Sequence, residues 1–318
     1  MRGFFRGEIE LYDFSSIDNY GTDIIVDWDL LTICNLRCPY CLARSVYTKW
    51  NQMYTKPQIE KVLSALKKST VNIRLTLVGG EPFLHPQFEY IINELVKIPQ
   101  IKTVWVYTNG VYYKQLPDDE KVVLCISYHS VQRDLELYKN FLNQAKSFKH
   151  KIILSIMCYK LDKYLERYKN VAKITKSIIP KISIDIEPTV LDVGKPTIHI
   201  EHRELMKELL PFQNSDDAFT LLGKQYNMVQ IYEMLESGEL DLSIFKCINN
   251  RYRIAINGDL TNYCGNNQNS NIFSNPEYFV GLKPFAKDCD KSCNKCILGQ
   301  NIGFPKVLKH EFQTIKPR

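Results

Sequence analysis

The chain has 318 residues, of which 45% are hydrophobic and 24% are charged, a composition that excludes a disordered protein. Its formal net charge of +6 allows an acidic partner but does not require one. The long apolar stretch at residues 24–33 is broken by Asp27 and Asp29, and the first residues lack the uninterrupted apolar core of a secretory signal. We therefore expect a cytoplasmic globular protein without a membrane span.

Between about residues 24 and 190, short β-branched runs alternate with longer helical patterns, which is typical of βαβ units around a parallel sheet. The predicted strands are residues 24–31, 73–78, 103–107, 121–128, 151–157 and 182–187. The predicted helices are residues 57–68, 86–96, 134–148 and 163–177, and an irregular link is predicted near 117–120. This pattern predicts an α/β fold, a partial (β/α)6 TIM-type barrel with its chemistry at the carboxyl ends of the strands.

The rest of the chain predicts a helical bridge over residues 191–246, with helical apolar spacing at 202–210 and 224–235. Residues 251–256 and 260–263 then form a predicted hairpin around Asn257-Gly258. We predict three domains: a core at 1–190, the bridge at 191–246, and a small cysteine-rich α+β extension at 247–318.

Eight of the ten cysteines fall into two groups. The groups are Cys34, Cys38 and Cys41, and then Cys247, Cys264, Cys289, Cys293 and Cys296. Disulfide frameworks belong mainly to small secreted domains, so clustered thiols in this chain indicate metal.

The first group, spaced CxxxCxxC, directly follows the first predicted strand, so one loop supplies three thiolates. A structural zinc site takes four protein ligands, and none of the six histidines is close in sequence. A ferredoxin loop would supply a fourth cysteine. Three thiolates on a four-iron cluster leave one iron open to a small molecule.

This loop resembles the CxxxCxxC motif of the radical S-adenosylmethionine (SAM) superfamily, including the aromatic Tyr40 before the last cysteine. The resemblance implies a 4Fe-4S cluster on Cys34, Cys38 and Cys41, with SAM chelated by the open iron. A reducing flavodoxin or ferredoxin would supply the electron that cleaves SAM to a 5′-deoxyadenosyl radical. Tyr40 would lie beside the adenine.

Further residues at strand ends are candidate cofactor contacts. Gly79-Gly80-Glu81 ends the second strand and resembles the GGEP motif of the family, in which Glu81 would bind the cofactor amino group; otherwise it is a plain turn. The following strands supply Asn109, Ser127, His129, Ser155, Met157 and Glu187. Asn109-Gly110 is also a good turn, His129 could be satisfied locally, and we expect either Ser155 or Met157 to face the pocket.

The second cysteine group resembles the twitch extension, the shortened form of the SPASM extension. The resemblance implies an auxiliary 4Fe-4S cluster on Cys247, Cys264, Cys293 and Cys296, with Cys289 as the alternative ligand. Zinc in the same thiolates is the main rival. Cys158, Cys289 and Cys125 are candidate hydrogen donors to a substrate radical, although a cysteine in a strand is also a small buried hydrophobe.

These observations favour a radical enzyme that abstracts hydrogen from a C–H bond, with a ribosomally made peptide as the expected substrate and crosslinking or epimerisation as the outcome. The alternative is oxidation or epimerisation of a small carbohydrate-like metabolite. Because the first strand begins near residue 24, we expect a separate peptide-recognition protein. A zinc-stabilised nucleic-acid-binding protein is the distant alternative, but no element carries a stripe of basic and aromatic residues.

Overall fold

The computed structural model describes most of the predicted barrel and parts of the chain that follows it. The described residues are 23–41, 51–132, 134–188, 200–213, 219–221, 224–226, 230, 233–234, 237, 239, 245–262, 270–282, 285–288 and 306–308.

Within the described residues, six strands and four helices build the barrel region. The strands are β1 (Asp23–Asp29), β2 (Asn72–Val78), β3 (Ile101–Thr108), β4 (Val122–His129), β5 (Ile152–Cys158) and β6 (Ser183–Pro188). The helices are α1 (Lys56–Lys67), α2 (Phe88–Val96), α3 (Leu135–Ala145) and α4 (Leu161–Ile178). Strands β1 to β6 pair in chain order and all are parallel. The predicted partial (β/α)6 barrel is therefore confirmed, and β3 and β4 are joined without a helix, as predicted.

The alternation along each strand separates a helix-covered face from an inner face. On β4, Leu124, Ile126 and Tyr128 belong to the main hydrophobic core, and the Tyr128 ring packs edge-on against Tyr138 of α3. Ser127 and His129 lie on the opposite face of the same strand. The inner face at the carboxyl ends of the strands is thus the polar one.

The later strands are β7 (Phe219–Leu221), β8 (Lys224–Tyr226), β9 (Phe245–Asn249), β10 (Arg251–Ile254), β11 (Asp259–Asn262), β12 (Ser270–Asn271), β13 (Phe285–Asp288) and β14 (Lys306–Leu308). Strand β10 pairs with β1 in parallel and begins the antiparallel run β10-β11-β12 at the edge of the barrel sheet. The predicted hairpin is confirmed, and Gly258 occupies its turn with a φ of 84°. Its place beside β1 was not predicted.

Two ion pairs on the inner face join β10 to β1. Arg251 binds Asp27 through two hydrogen bonds, Nε to Oδ2 at 2.7 Å and Nη2 to Oδ1 at 3.0 Å. Arg253 likewise donates from Nε to Oδ2 of Asp29 at 2.7 Å. Both carboxylates are almost completely buried, so their guanidinium partners offset a large desolvation cost.

The chain after the hairpin also packs on the barrel. A 3₁₀ helix at Pro276–Gly281 contacts α1, the Phe279 side chain is fully buried, and Thr70 donates to the Val280 carbonyl at 3.1 Å. The described residues 251–262 and 270–282 thus complete the sheet beside β1 and cover α1, although they fall within the extension predicted to begin at residue 247.

The predicted bridge is only partly helical where it is described. Helix α5 (Ile200–Lys207) agrees with the predicted apolar spacing from residue 202. Lys224–Tyr226, predicted to begin a helix, is instead the strand β8 paired with β7. Tertiary pairing overrides helical spacing over such a short segment.

In the part of the chain that the structure describes, no helix combines the length and apolar character that a bilayer crossing requires.

Candidate active site

The loop after β1 carries Cys34, Cys38 and Cys41 at the carboxyl end of the sheet. Cys38 is buried and the other two are partly exposed. The Cys41 N–H donates to the Cys38 carbonyl at 3.1 Å, which closes a tight turn between these two cysteines. The three thiols thus belong to one compact loop.

The surroundings of Cys34 suit a metal-bound thiolate. Its Sγ accepts from the Leu36 N–H at 3.4 Å and lies 3.8 Å from the Asn109 amide nitrogen. Burial raises the pKa of the Cys34 thiol, while the Leu36 N–H favours the thiolate. N–H donors around cysteine ligands are one means by which proteins tune iron-sulfur clusters. Among the described residues no three Cys, His, Asp or Glu side chains could hold a single metal ion, but in a cluster each thiolate binds a different iron.

Two glycines let the end of β2 approach the cysteine loop. Gly80 donates its N–H to the Leu31 carbonyl at 2.7 Å, and the next N–H, of Glu81, donates to the Ile33 carbonyl at 2.8 Å. A Cβ at Gly80 would lie 1.9 Å from the Ile33 oxygen, and one at Gly79, whose φ is 139°, would lie 2.4 Å from the Leu31 oxygen. Both contacts involve backbone, so no side chain can move to relieve them.

Gly80→Ala is expected to lower the free energy of unfolding by about 1–3 kcal/mol, the usual cost of overpacking. Chemical denaturation would measure it. Gly281→Ala is the matched control, because a Cβ there meets nothing within 4 Å. An equal loss in both variants would contradict the close approach at Gly80.

Glu81 is the centre of a buried hydrogen-bond network. Its Oε1 accepts from the Phe83 N–H at 3.0 Å and the Thr108 hydroxyl at 2.8 Å, and its Oε2 accepts from the Asn109 N–H at 2.7 Å. Burial raises the pKa of Glu81 to about 7 despite these donors. A carboxylate offers about four acceptor sites, so three donors leave capacity for one more, such as an ammonium group.

Asn109 connects this network to the cysteine loop. Its amide nitrogen donates to Asn35 Oδ1 at 2.8 Å, and its Oδ1 accepts from the Val111 N–H at 3.1 Å. Gly110 follows with a φ of 70°, as expected of a turn. The Asn109 side chain therefore stabilises a turn and also contacts the cysteine loop.

Further candidates share the inner face of β4, β5 and β6. Ser127 pairs with Ser155 and Ser155 with Asp185, while His129 pairs with Met157 and Met157 with Glu187. The expectation that either Ser155 or Met157 faces inward was wrong, because residues two apart in a strand share a face. The same rule, applied from Glu187, would have indicated Asp185, a buried carboxylate that the sequence reasoning missed.

The residues at these strand ends match a known protein family. The model of the Radical SAM superfamily matches residues 29–150, which include the cysteine loop, the glycine pair and the ends of β3 and β4. The chain carries a radical SAM domain.

Curated relatives match a part of the chain. A GTP 3′,8-cyclase of Clostridium acetobutylicum is 34% identical over 109 residues, 33% of this chain and 33% of the relative. Human molybdenum cofactor biosynthesis protein 1 is 30% identical over 122 residues, 37% of this chain and 19% of that protein. The chain thus spans about a third or less of the length of these two relatives.

Solved structures share the fold more widely. Streptococcus suis SuiB bound to S-adenosylmethionine has a TM-score of 0.58 at 13% identity, covering 84% of this chain and 68% of that one. SuiB bound to the precursor peptide SuiA has a TM-score of 0.57 at 12% identity, covering 95% of this chain and 70% of that one. At this identity the likeness is one of fold.

Cys158 and Cys125, two candidate hydrogen donors, both pack among apolar side chains. Cys158 joins the hydrophobic core with Leu154 and Ile156, on the opposite face of β5 from Ser155. This position argues against the predicted hydrogen-donor role of Cys158. Cys125 faces inward but is packed in a small apolar cluster with Val123 and Ile153.

The second cysteine group is described only in part. Cys264, Cys289, Cys293 and Cys296 lie outside the described residues. Cys247 is in β9, which pairs with β13 and β14 in a separate sheet rather than with the barrel-edge hairpin. Strand β13 ends at Asp288, opposite Lys246. The predicted ligand set remains a prediction.

Proposed function

We propose that this chain is a radical SAM enzyme that cleaves SAM reductively and abstracts a hydrogen atom from a substrate. The observation that carries the proposal is the position of the three-cysteine loop beside Glu81 and Asn109 at the carboxyl end of the sheet. When bound, the cluster and SAM supply one-electron cleavage to methionine and a 5′-deoxyadenosyl radical. The electron would come from a reduced flavodoxin or ferredoxin.

In this proposal the residues of the chain bind the cluster and orient the cofactor. Cys34, Cys38 and Cys41 would hold the cluster, and the spare acceptor capacity of Glu81 would receive the cofactor ammonium group. The inner-face polar residues Ser127 and Ser155 suit hydroxyl groups of the cofactor. Met157, two residues further along β5 on the same face, would line the same pocket, and Glu187 stays a predicted cofactor contact.

The test is anaerobic reconstitution with iron and sulfide, reduction with dithionite, and quantification of 5′-deoxyadenosine formed from SAM. Production that depends on both iron and reductant is expected. A reconstituted four-iron protein that forms no 5′-deoxyadenosine would overturn the proposal.

For the substrate, we propose a ribosomally made peptide undergoing crosslinking or epimerisation. The resemblance to the SuiB–peptide complex, extending over 95% of this chain, supports this choice, whereas the GTP 3′,8-cyclase of Clostridium acetobutylicum matches 33% of this chain. The relatives named GTP 3′,8-cyclase favour the second candidate, a small metabolite containing a sugar.

The two substrate classes can be separated by stimulation of SAM cleavage. A true substrate should increase the formation of 5′-deoxyadenosine. Its own mass or stereochemistry should change in proportion to the 5′-deoxyadenosine formed. The probes are GTP and any short peptide encoded beside this gene. Stimulation by GTP with conversion of GTP, and none by the peptide, would overturn the peptide proposal and leave the radical chemistry intact.

We also propose an auxiliary 4Fe-4S cluster on Cys247, Cys264, Cys293 and Cys296. With this ligand set, Cys289→Ala should retain about eight irons per chain, two four-iron clusters, and Cys293→Ala should lose iron. Iron and sulfide analysis of both variants would measure this. Loss in Cys289→Ala alone would assign Cys289 instead, an alternative that the end of β13 beside β9 also supports. Stoichiometric zinc in place of iron would favour a structural zinc site.

A further inference from the structure

Tyr40 lies between Cys38 and Cys41 in the cysteine loop, and its side chain contacts residues at the carboxyl ends of β4 and β5. Its relative exposure is only 9%, and its hydroxyl lies 2.9 Å from Nδ1 of His129. The two rings also stack, with centroids 5.8 Å apart and planes 30° apart. Tyr159, just after β5, adds a second ring contact at 4.7 Å.

This contact spans several strands. The loop follows β1, whereas His129 ends β4, and β2 and β3 lie between them in the sheet. The links through Asn109 and the glycine pair reach the ends of β3 and β2, which lie nearer to β1. The Tyr40–His129 contact therefore restrains the segment between the second and third cysteines.

The chemistry of both partners suits a persistent hydrogen bond. Burial lowers the pKa of His129 to about 4, so its imidazole is neutral near pH 7. A neutral imidazole nitrogen and a phenol form one hydrogen bond whichever of them donates. Asparagine can place an amide atom close to the Nδ1 position and either donate or accept, so it can replace the imidazole in this contact.

We propose that His129 is a positioning residue. It acts through Tyr40 to hold the cysteine loop in the conformation that binds the cluster, and it does not contact SAM. The proposal rests on the proposed function in one respect, that the loop binds a cluster. An ordered loop presents its thiols already arranged, so metal is released more slowly than from a loop that must be ordered on binding.

The first experiment measures iron release from the reconstituted full chain to a chelator. His129→Leu and Tyr40→Phe should each accelerate release from the cluster on this loop about two- to tenfold, the effect of losing one hydrogen bond. The double variant should be no faster than the singles, because the two changes remove one interaction. His129→Asn should restore the slow rate.

Tyr138→Phe is the matched control for the loss of a buried phenol hydroxyl. The Tyr138 hydroxyl bonds Thr175 at 3.0 Å within the helical layer. This variant should leave iron release unchanged. Additive effects of His129→Leu and Tyr40→Phe, or a His129→Leu variant with normal release and only a raised KM for SAM, would overturn the proposal in favour of direct cofactor contact.

The second experiment needs no metal and separates this proposal from the proposed function. Arg37 is exposed within the loop, so trypsin cleavage after Arg37 in the metal-free chain reports loop order. His129→Leu and Tyr40→Phe should increase this cleavage, while cleavage after the exposed Lys146 stays constant. If wild-type protein binds no cluster, the proposed function fails, and this measurement still decides whether His129 orders the loop. Unchanged cleavage would contradict the proposal.

Discussion

Replacing Cys34, Cys38 or Cys41 with alanine is expected to abolish the formation of 5′-deoxyadenosine from SAM. Two thiolates cannot hold the four-iron cluster in the arrangement that leaves one iron for SAM. With the proposed auxiliary cluster in place, each variant should retain about four irons per chain, so total iron should fall by half. Chromatographic quantification of 5′-deoxyadenosine, with iron analysis of the same sample, measures both effects.

Cys125→Ala is the matched control for these variants. Cys125 is fully buried in the apolar cluster with Val123 and Ile153, away from the loop. It should keep full iron and SAM cleavage. Retained 5′-deoxyadenosine formation in any one of the three loop variants would show that the assigned cysteine is not a required ligand.

Removing either partner of the Asp27–Arg251 ion pair is expected to destabilise the protein by about 3–5 kcal/mol, because the remaining charge is buried without its partner. Asp27 is 2% exposed and Arg251 is 7% exposed. The pair joins β1 to β10, so Asp27→Ala and Arg251→Ala should also loosen the edge of the barrel. Denaturant unfolding of each variant gives the loss, and hydrogen exchange of β10 locates it.

Two comparisons test the physical reason for this loss. The double variant Asp27→Leu, Arg251→Met should recover much of the stability, since it leaves no unpaired charge. Asp118→Ala, which breaks the exposed contacts to Lys149 and His150, should have little effect. A double variant no more stable than the singles would show that the lost charge pairing is not the cause.

Local patterns predicted the barrel because its contacts are regular. Each strand from β1 to β6 carries a β-branched run, and each helix from α1 to α4 carries amphipathic spacing, so the buried residues of each element can be predicted from its own sequence. The order of these elements along the chain was then enough to predict the parallel sheet. The place of β10 could not be predicted in this way. Asp27 and Arg251 are 224 positions apart, and in sequence Asp27 only interrupts an apolar run.

Only those residues of the candidate site that belong to sequence motifs could be predicted. Cys34, Gly80 and Glu81 occur in patterns whose spacing indicates chemistry. The hydrogen bond between Tyr40 and His129 has no sequence signal, because it depends on the path of the cysteine loop across the end of the sheet. Asp185 does have a sequence signal, because the two-residue alternation of a strand places it on the same face as Glu187.

The most direct test of the central claim is electron paramagnetic resonance of the reduced, reconstituted protein before and after SAM is added. Direct binding of SAM to the open iron should shift the spectrum of the cluster on Cys34, Cys38 and Cys41, and Cys38→Ala should remove both the signal and the shift. A wild-type spectrum that SAM leaves unchanged, or a protein that binds zinc but no iron and sulfide, would contradict the account.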